Sequence, residues 1–276
     1  MRYVIGEMTI GQLLDQSFKI FKDNLKLFLT IGGILYLPAV ALQQILPLVI
    51  FPDITAAQTQ AEKQTAFLSA GIPFMILVGV LTIILILVLT PLLSASITDA
   101  VGHVYLERST TPGRSIRAAF SCLISVLLTQ WLGSLFIFLG FLLLVFPGVY
   151  LMFAYFVIVP VVVLENEAGW TALKRSNELM KGSKTMAFVL SFLVGIISSG
   201  INMIGAAFQV PMISAIILTL GTTVLTVYLT IAVTVLYFHC RSKTENFDLQ
   251  LLAESVGIDA PVESQGPPPL PSAGQY

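Results

Sequence analysis

From Ala118 to Leu164 the chain runs forty-seven residues without one Asp, Glu, Lys, Arg or His. As a single helix at 1.5 Å per residue this stretch would extend roughly 70 Å, over twice the roughly 30 Å hydrocarbon core of a bilayer. It must therefore fold back, and Phe146-Pro147-Gly148 is where the sequence permits it. Pro ends an incoming helix and Gly accepts the dihedrals of a tight turn. The expectation is a transmembrane hairpin, about 120–145 out and 149–164 back, turning at Pro147 and Gly148.

Thr185 to Cys240 is a second such stretch, in which His239, Cys240 and tyrosines are the ionisable side chains. Gln209-Val210-Pro211 divides it into spans at about 186–207 and 213–238. Two earlier spans are expected: 27–51, with Pro38 inside it, and 72–94, kinked at Pro91 and continuing as helix to about Arg108. Composition agrees, since 56% hydrophobic residues, 11% charged residues and a mean hydropathy of +0.91 belong to integral membrane proteins. The fold class read from this is all-α: six transmembrane helices as three hairpins, with cytoplasmic interfacial amphipathic helices.

The first amphipathic helix is read over residues 9–26, within an amino-terminal segment 1–26. Ile10, Leu13, Leu14, Phe18, Phe21, Leu25 and Phe28 fall on one face, and Asp15, Lys19, Lys22 and Lys26 on another. Thr9 and Gln12 have the spacing of a capping box. We expect this helix in the inner membrane interface; an ordinary cytoplasmic helix has the same pattern. Residues 165–185 contain a second, shorter amphipathic segment with Trp170 placed for the interface. The membrane domain spans 27–240, residues 241–259 hold a short cytoplasmic helix, and 260–276 form a disordered Pro-rich tail. A weak repeat, Gly11-x-x-Leu14, Gly113-x-x-Ile116 and Gly169-x-x-Ala172, opens a basic amphipathic segment before each hairpin.

Positive charge sets the orientation. Of fourteen Lys and Arg, Lys63 alone falls in the loop between the first two spans, and the two tight turns have none. Both termini are therefore expected on the cytoplasmic side of the membrane. Ala39-Val40-Ala41 resembles a signal-peptidase site, but the region before it, long and carrying Glu7, Asp15 and Asp23, and the apolar run beyond it argue against cleavage. Cys122 and Cys240 are expected as free thiols in a reducing compartment.

Soluble-type catalytic patterns are missing from this sequence: two His and two Cys, distant from one another, fit no triad or zinc spacing, and no GxxxxGK[ST] loop occurs. We assign no catalytic, cofactor-binding or metal residue, and no cofactor. Asp99, His103 and Glu107, at i, i+4 and i+8, are the polar candidates for a metal or proton relay; the competing reading is a solvated stripe just outside the bilayer. Within the spans Gln43, Gln44, Gln130, Asn202 and Gln209 are polar. Gly195, Ser199, Asn202 and Ala206 share one helical face, which suits close packing with Asn202 as an interhelical hydrogen-bonding group, or else a substrate lining. No dense basic patch with interleaved aromatics supports nucleic acid as a partner. The expected partner is the bilayer, its anionic headgroups drawn to the basic interfacial helices, with a protein partner or a second copy as further occupants.

Phe146-Pro-Gly-Val-Tyr-Leu-Met-Phe-Ala-Tyr155, Val161-Val-Val-Leu-Glu165, Ala172-Leu-Lys-Arg-Ser-Asn-Glu-Leu-Met-Lys-Gly182 and Asn246-Phe-Asp-Leu-Gln-Leu-Leu-Ala253 carry a resemblance. They are similar to the bacterial six-span proteins labelled "glycerophosphoryl diester phosphodiesterase membrane domain", a set that is itself similar to the YciC-like membrane proteins. The resemblance covers about residues 9–256 and implies the six-span architecture. It implies no hydrolase activity in this chain, because the 36 residues after the last span leave no room for the phosphodiesterase barrel of some relatives.

Two functions follow as expectations. The first is a non-enzymatic membrane protein in envelope organisation, lipid binding or partner scaffolding. The alternative is a transporter or permease component for a neutral or amphiphilic solute, with Pro38, Pro91 and Pro160 as markers of broken helices. An intramembrane lipid enzyme would need Asp99, His103 or Glu107.

Overall fold

The computed structural model describes residues 6–41, 76–81, 83–208 and 210–245, with 59, 61, 62 and 65 between the first two segments. Several expectations lie outside the described residues: the second half of the first span with Gln43 and Gln44, most of the loop between the first two spans with Lys63, Gln209, the part of 241–259 beyond residue 245, and the tail. Every regular element among the described residues is helical. Five helices are long and apolar enough to cross a membrane: Leu87–Tyr105, Pro112–Leu143, Val145–Glu165, Lys184–Ala207 and Met212–Glu245. Together with the composition they are those of a membrane protein.

Helix α1 (Ile10–Asp23) starts as its sequence dictates. The Thr9 hydroxyl accepts from the Gln12 backbone N–H, and the Gln12 side chain accepts from the Thr9 N–H at 2.8 Å, so two orphan donors are satisfied reciprocally. The chain breaks at Asn24 and resumes as α2 (Leu25–Leu35). The apolar face of α1 does not lie free for lipid. Leu13, Ile20 and Phe21 are buried, the Gln16 amide donates to the Tyr105 hydroxyl at 2.7 Å, and the Met8 N–H donates to Nδ1 of His239 at 2.9 Å. Periodicity shows that a face is apolar; here protein, not bilayer, covers much of it. Phe18, 57% exposed, and Leu25, 43% exposed, are the members of the pattern that stay outside.

After a π-helical turn at Leu85–Leu89 comes α3 (Thr90–Tyr105), with Pro91 at its start. Pro91 has no N–H to give the Leu87 carbonyl, and the backbone widens there to re-register its bonds. Helix α3 is the core of the described bundle: Leu92, Leu93, Ala95, Ile97, Ala100 and Val101 are buried. Tyr105 stacks on Phe238 with ring centroids 4.5 Å apart.

The hairpin that the sequence places at Pro147-Gly148 turns earlier. Helix α4 (Pro112–Leu143) ends at Leu144, an extended residue (φ −162°, ψ 152°), and α5 (Val145–Ala154) begins at once. Pro147 sits in the first turn of α5, where an N–H would have no intrahelical acceptor, so its ring costs nothing there. Gly148 supplies space instead of dihedral freedom. A Cβ on it would lie 2.5 Å from the Phe141 ring, and one on Gly140 would lie 3.0 Å from Gly148 Cα.

The returning segment is also broken. Residues 155–157 are a turn between α5 and α6 (Ile158–Glu165). Pro160 explains it, since Pro cannot donate to the Phe156 carbonyl and its ring crowds that carbonyl. Then follow α7 (Trp170–Leu179), α8 (Lys184–Ala207) and α9 (Pro211–Glu245). Helices α8 and α9 pack through Gly205 on Leu218 and Gly221 on Ile201. The stripe of Gly195, Ser199, Asn202 and Ala206 is on the other side: all four are exposed, and a Cβ on Gly195 would meet nothing within 4 Å. Small residues permit close packing, but the neighbouring face of α8 is the one that α9 takes. Four threonines of α9 are satisfied within the helix, Thr223, Thr226, Thr230 and Thr234 each donating to the carbonyl one turn back.

The repeat is partly structural. Gly11 and Gly113 each hold the second position of a helix capped by a threonine, Thr9 and Thr111, whereas Gly169 is itself the residue before its helix, with φ 64°.

Candidate functional site

The two helix breaks meet. Leu87 and Pro91 from the first, and Tyr155, Phe156 and Ile158 from the second, line one cleft of about 330 Å³ against α4. Helix α4 presents Gln130, Gly133 and Ser134 to it. Gly133 lets the break approach: a Cβ there would come within 3.0 Å of Ile158 and 3.2 Å of Leu173. Gln130, Ser134 and Tyr155 bring an amide and two hydroxyl-bearing side chains to its lining, which holds no charged side chain. Leu87, Trp131 and Ser134 also belong to a neighbouring open groove of about 690 Å³, otherwise walled by Leu128, Leu132, Leu135 and Phe138. A small polar recess thus opens beside a longer apolar trough.

Of the charged candidates, Asp99 and His103 stay together on α3. His103 Nδ1 donates to the Asp99 carbonyl at 2.9 Å and lies 3.7 Å from the Asp99 carboxylate. They are not a solvated stripe, being 14% and 19% exposed at the side chain. Glu107 does not join them. Helix α3 ends at Tyr105 and Glu107 lies beyond, in the left-handed region at φ 57°, so the i+8 spacing has no helix to carry it. Among the described residues no group of three His, Cys, Asp or Glu is placed to hold a metal ion. Asn202 is exposed on α8 and donates to the Ser198 carbonyl of its own helix at 2.8 Å. Cys122 and Cys240 are free.

The sequence reading missed a charged cluster that ties α6, α7 and α9. Arg175 bonds both oxygens of Glu165 and pairs with Glu245. Arg241 pairs with Glu245 at 3.1 Å and donates to the Tyr237 hydroxyl at 3.2 Å, which donates to Glu165 at 2.8 Å. Hydrogen bonding to Glu165 holds the Arg175 guanidinium above its ordinary pKa against the opposing effect of burial, and Glu245 adds to it. Arg241 and Glu245, at i and i+4, were legible as a pair. The link from Glu165 to residues on two other helices was not, because nothing local announces it.

A family model described as Domain of unknown function (DUF8558) matches residues 114–260. That stretch contains the charged cluster and the α4–α6 wall of the cleft. No curated protein matches the chain and no solved structure does.

Proposed function

We infer the role of this chain, which belongs to the DUF8558 family, a domain of unknown function, from its own residues. We propose that it is a non-enzymatic, lipid-binding protein of the bacterial cytoplasmic membrane, with six spans and both termini cytoplasmic, serving membrane organisation. Its ligand is a neutral amphiphile held between the two helix breaks. The observation that carries this is the pairing of an uncharged polar recess, Gln130, Ser134 and Tyr155, with the apolar trough beside it. Hydroxyl, amide or ester groups suit the recess, and an acyl chain suits the trough. Irregular backbone in an apolar environment is tolerated where it lines a cavity, which is how both breaks are used. The resemblance to the phosphodiesterase membrane-domain group supports the same six-span reading.

Native mass spectrometry of the full chain in native-membrane nanodiscs tests the proposal. A specific lipid should be retained by the parent protein and lost, about tenfold, on Gln130→Leu combined with Ser134→Ala. Equal retention by both proteins would overturn it.

Transport of the same amphiphile is the second reading, favoured by the fact that one wall of the recess is a discontinuous helix and the other carries a π-helical turn. In proteoliposomes, movement of a fluorescent lipid analogue that stops in the Gln130→Leu variant, with the fold intact, would favour it. Binding without movement leaves the organising role.

A further inference from the structure

A second cleft, of about 250 Å³, lies between α3, α6 and α9, away from the helix breaks. Arg108 and Arg241 border it with His103 and Asp99, and Leu164 and Phe238 supply apolar wall. The two arginines reach it from different elements, the segment after α3 and the end of α9. Its backbone is closely fitted: a Cβ on Gly102 would lie 2.8 Å from Leu164 Cδ2, so Gly at 102 keeps room for that wall.

Two observations define what fits. Two guanidiniums border one recess, and although Arg241 is already shared with Glu245 and Tyr237, together they call for a phosphate, which guanidiniums bind in planar, charge-assisted hydrogen bonds. Asp99 calls for a donor. Its Oδ2 is buried without a hydrogen-bond partner, while Oδ1 has His103 at 3.7 Å, beyond hydrogen-bond range. A buried carboxylate oxygen left unpaired is costly, so the site is complete only when a donor arrives with the ligand or with water. Below the roughly 300–1,000 Å³ of sites for drug-sized molecules, the cleft suits a headgroup.

We propose that this cleft binds a phosphate that carries a primary ammonium on its other side, the chemistry of phosphoethanolamine. The phosphate lies at Arg108 and Arg241, and the ammonium donates to Asp99. A phospholipid headgroup and a soluble phosphoethanolamine share that chemistry. This site is separate from the recess at Gln130 and does not depend on it.

Choline is the discriminating probe, because its quaternary nitrogen keeps the charge and has no N–H to give Asp99. The full chain is placed in nanodiscs of equal phosphatidylethanolamine and phosphatidylcholine with matched acyl chains, and retained lipid is read by native mass spectrometry. Ethanolamine lipid should be retained about tenfold over choline lipid. Asp99→Asn, which keeps the shape, and Asp99→Ala should each level the two, and Arg108→Gln, at an exposed position, should lower both. Gln130→Leu should leave the preference unchanged, which separates failure of this site from failure of the other. In a parallel arm, phosphoethanolamine and phosphocholine are titrated into detergent-solubilised protein by calorimetry. The ethanolamine preference appearing with the soluble compounds marks a soluble ligand; the preference appearing with lipids alone marks a headgroup. No preference in either arm, or a preference that survives both Asp99 variants, overturns the proposal.

Discussion

Arg175 grips Glu165 at two points, Nε 2.7 Å from one carboxylate oxygen and Nη2 3.1 Å from the other. The pair joins the end of α6 to α7 across a reversal in which Asn166 takes the left-handed conformation (φ 56°, ψ 23°). Its second oxygen also receives the Tyr237 hydroxyl, so α9 is held by the same carboxylate. Three helices thus converge on one acidic side chain that is 13% exposed.

Arg175→Ala should destabilise the protein by about 1–3 kcal/mol, because it leaves Glu165 and Glu245 partly buried without their shared cation. Arg175→Lys should recover only part of this, since an ammonium cannot make the forked contact. Denaturant or thermal unfolding in detergent measures both. A double-mutant cycle with Tyr237→Phe should show coupling, as both groups act on Glu165. Strict additivity would mean that the contact is decorative.

Gly148→Ala should destabilise the α4–α5 turn by about 1–3 kcal/mol, since the new methyl meets the Phe141 ring at 2.5 Å and neither backbone can retreat. Gly195→Ala is the matched control. Nothing lies within 4 Å of its Cβ position and it sits inside α8, so helix propensity alone should raise stability by up to about 1 kcal/mol. Opposite signs in the same unfolding assay are expected; a loss of similar size at both would show that the crowding at Gly148 is not what matters.

Cys240 is fully buried against Met180, with Sγ 3.9 Å from its sulfur, whereas Cys122 is partly exposed on α4. Maleimide labelling of the intact protein should modify Cys122 at least tenfold faster than Cys240, and denaturant should equalise them. Early labelling of Cys240 under native conditions would place the α7–α9 contact among transient ones.

Local signals were legible where the chemistry is local. The capping box at Thr9 and Gln12 forms as its spacing says, and Pro91 disturbs its helix where a missing N–H must. Pro147-Gly148 misled because the pair usually means a turn by dihedral freedom. Here it begins a helix, and the glycine serves close approach. The face of α8 bearing Asn202 misled for a related reason: two neighbouring faces were suited to packing, and the sequence could not say which one α9 would occupy. Gln130 was visible as a polar residue in an apolar run, but the break at 155–157 that gives it a recess depended on where a partner helix lay.

By itself the sequence determined that this chain is a helical membrane protein. Hydrophobic length and the positions of charge act residue by residue and need no partner to be evaluated. The tertiary structure alone decided that α1 packs on Tyr105 and His239, that Glu107 leaves Asp99 and His103, and that one carboxylate binds three helices. Those outcomes rest on contacts between residues up to 231 positions apart, such as Met8 with His239, and pairwise geometry over that range has no local code.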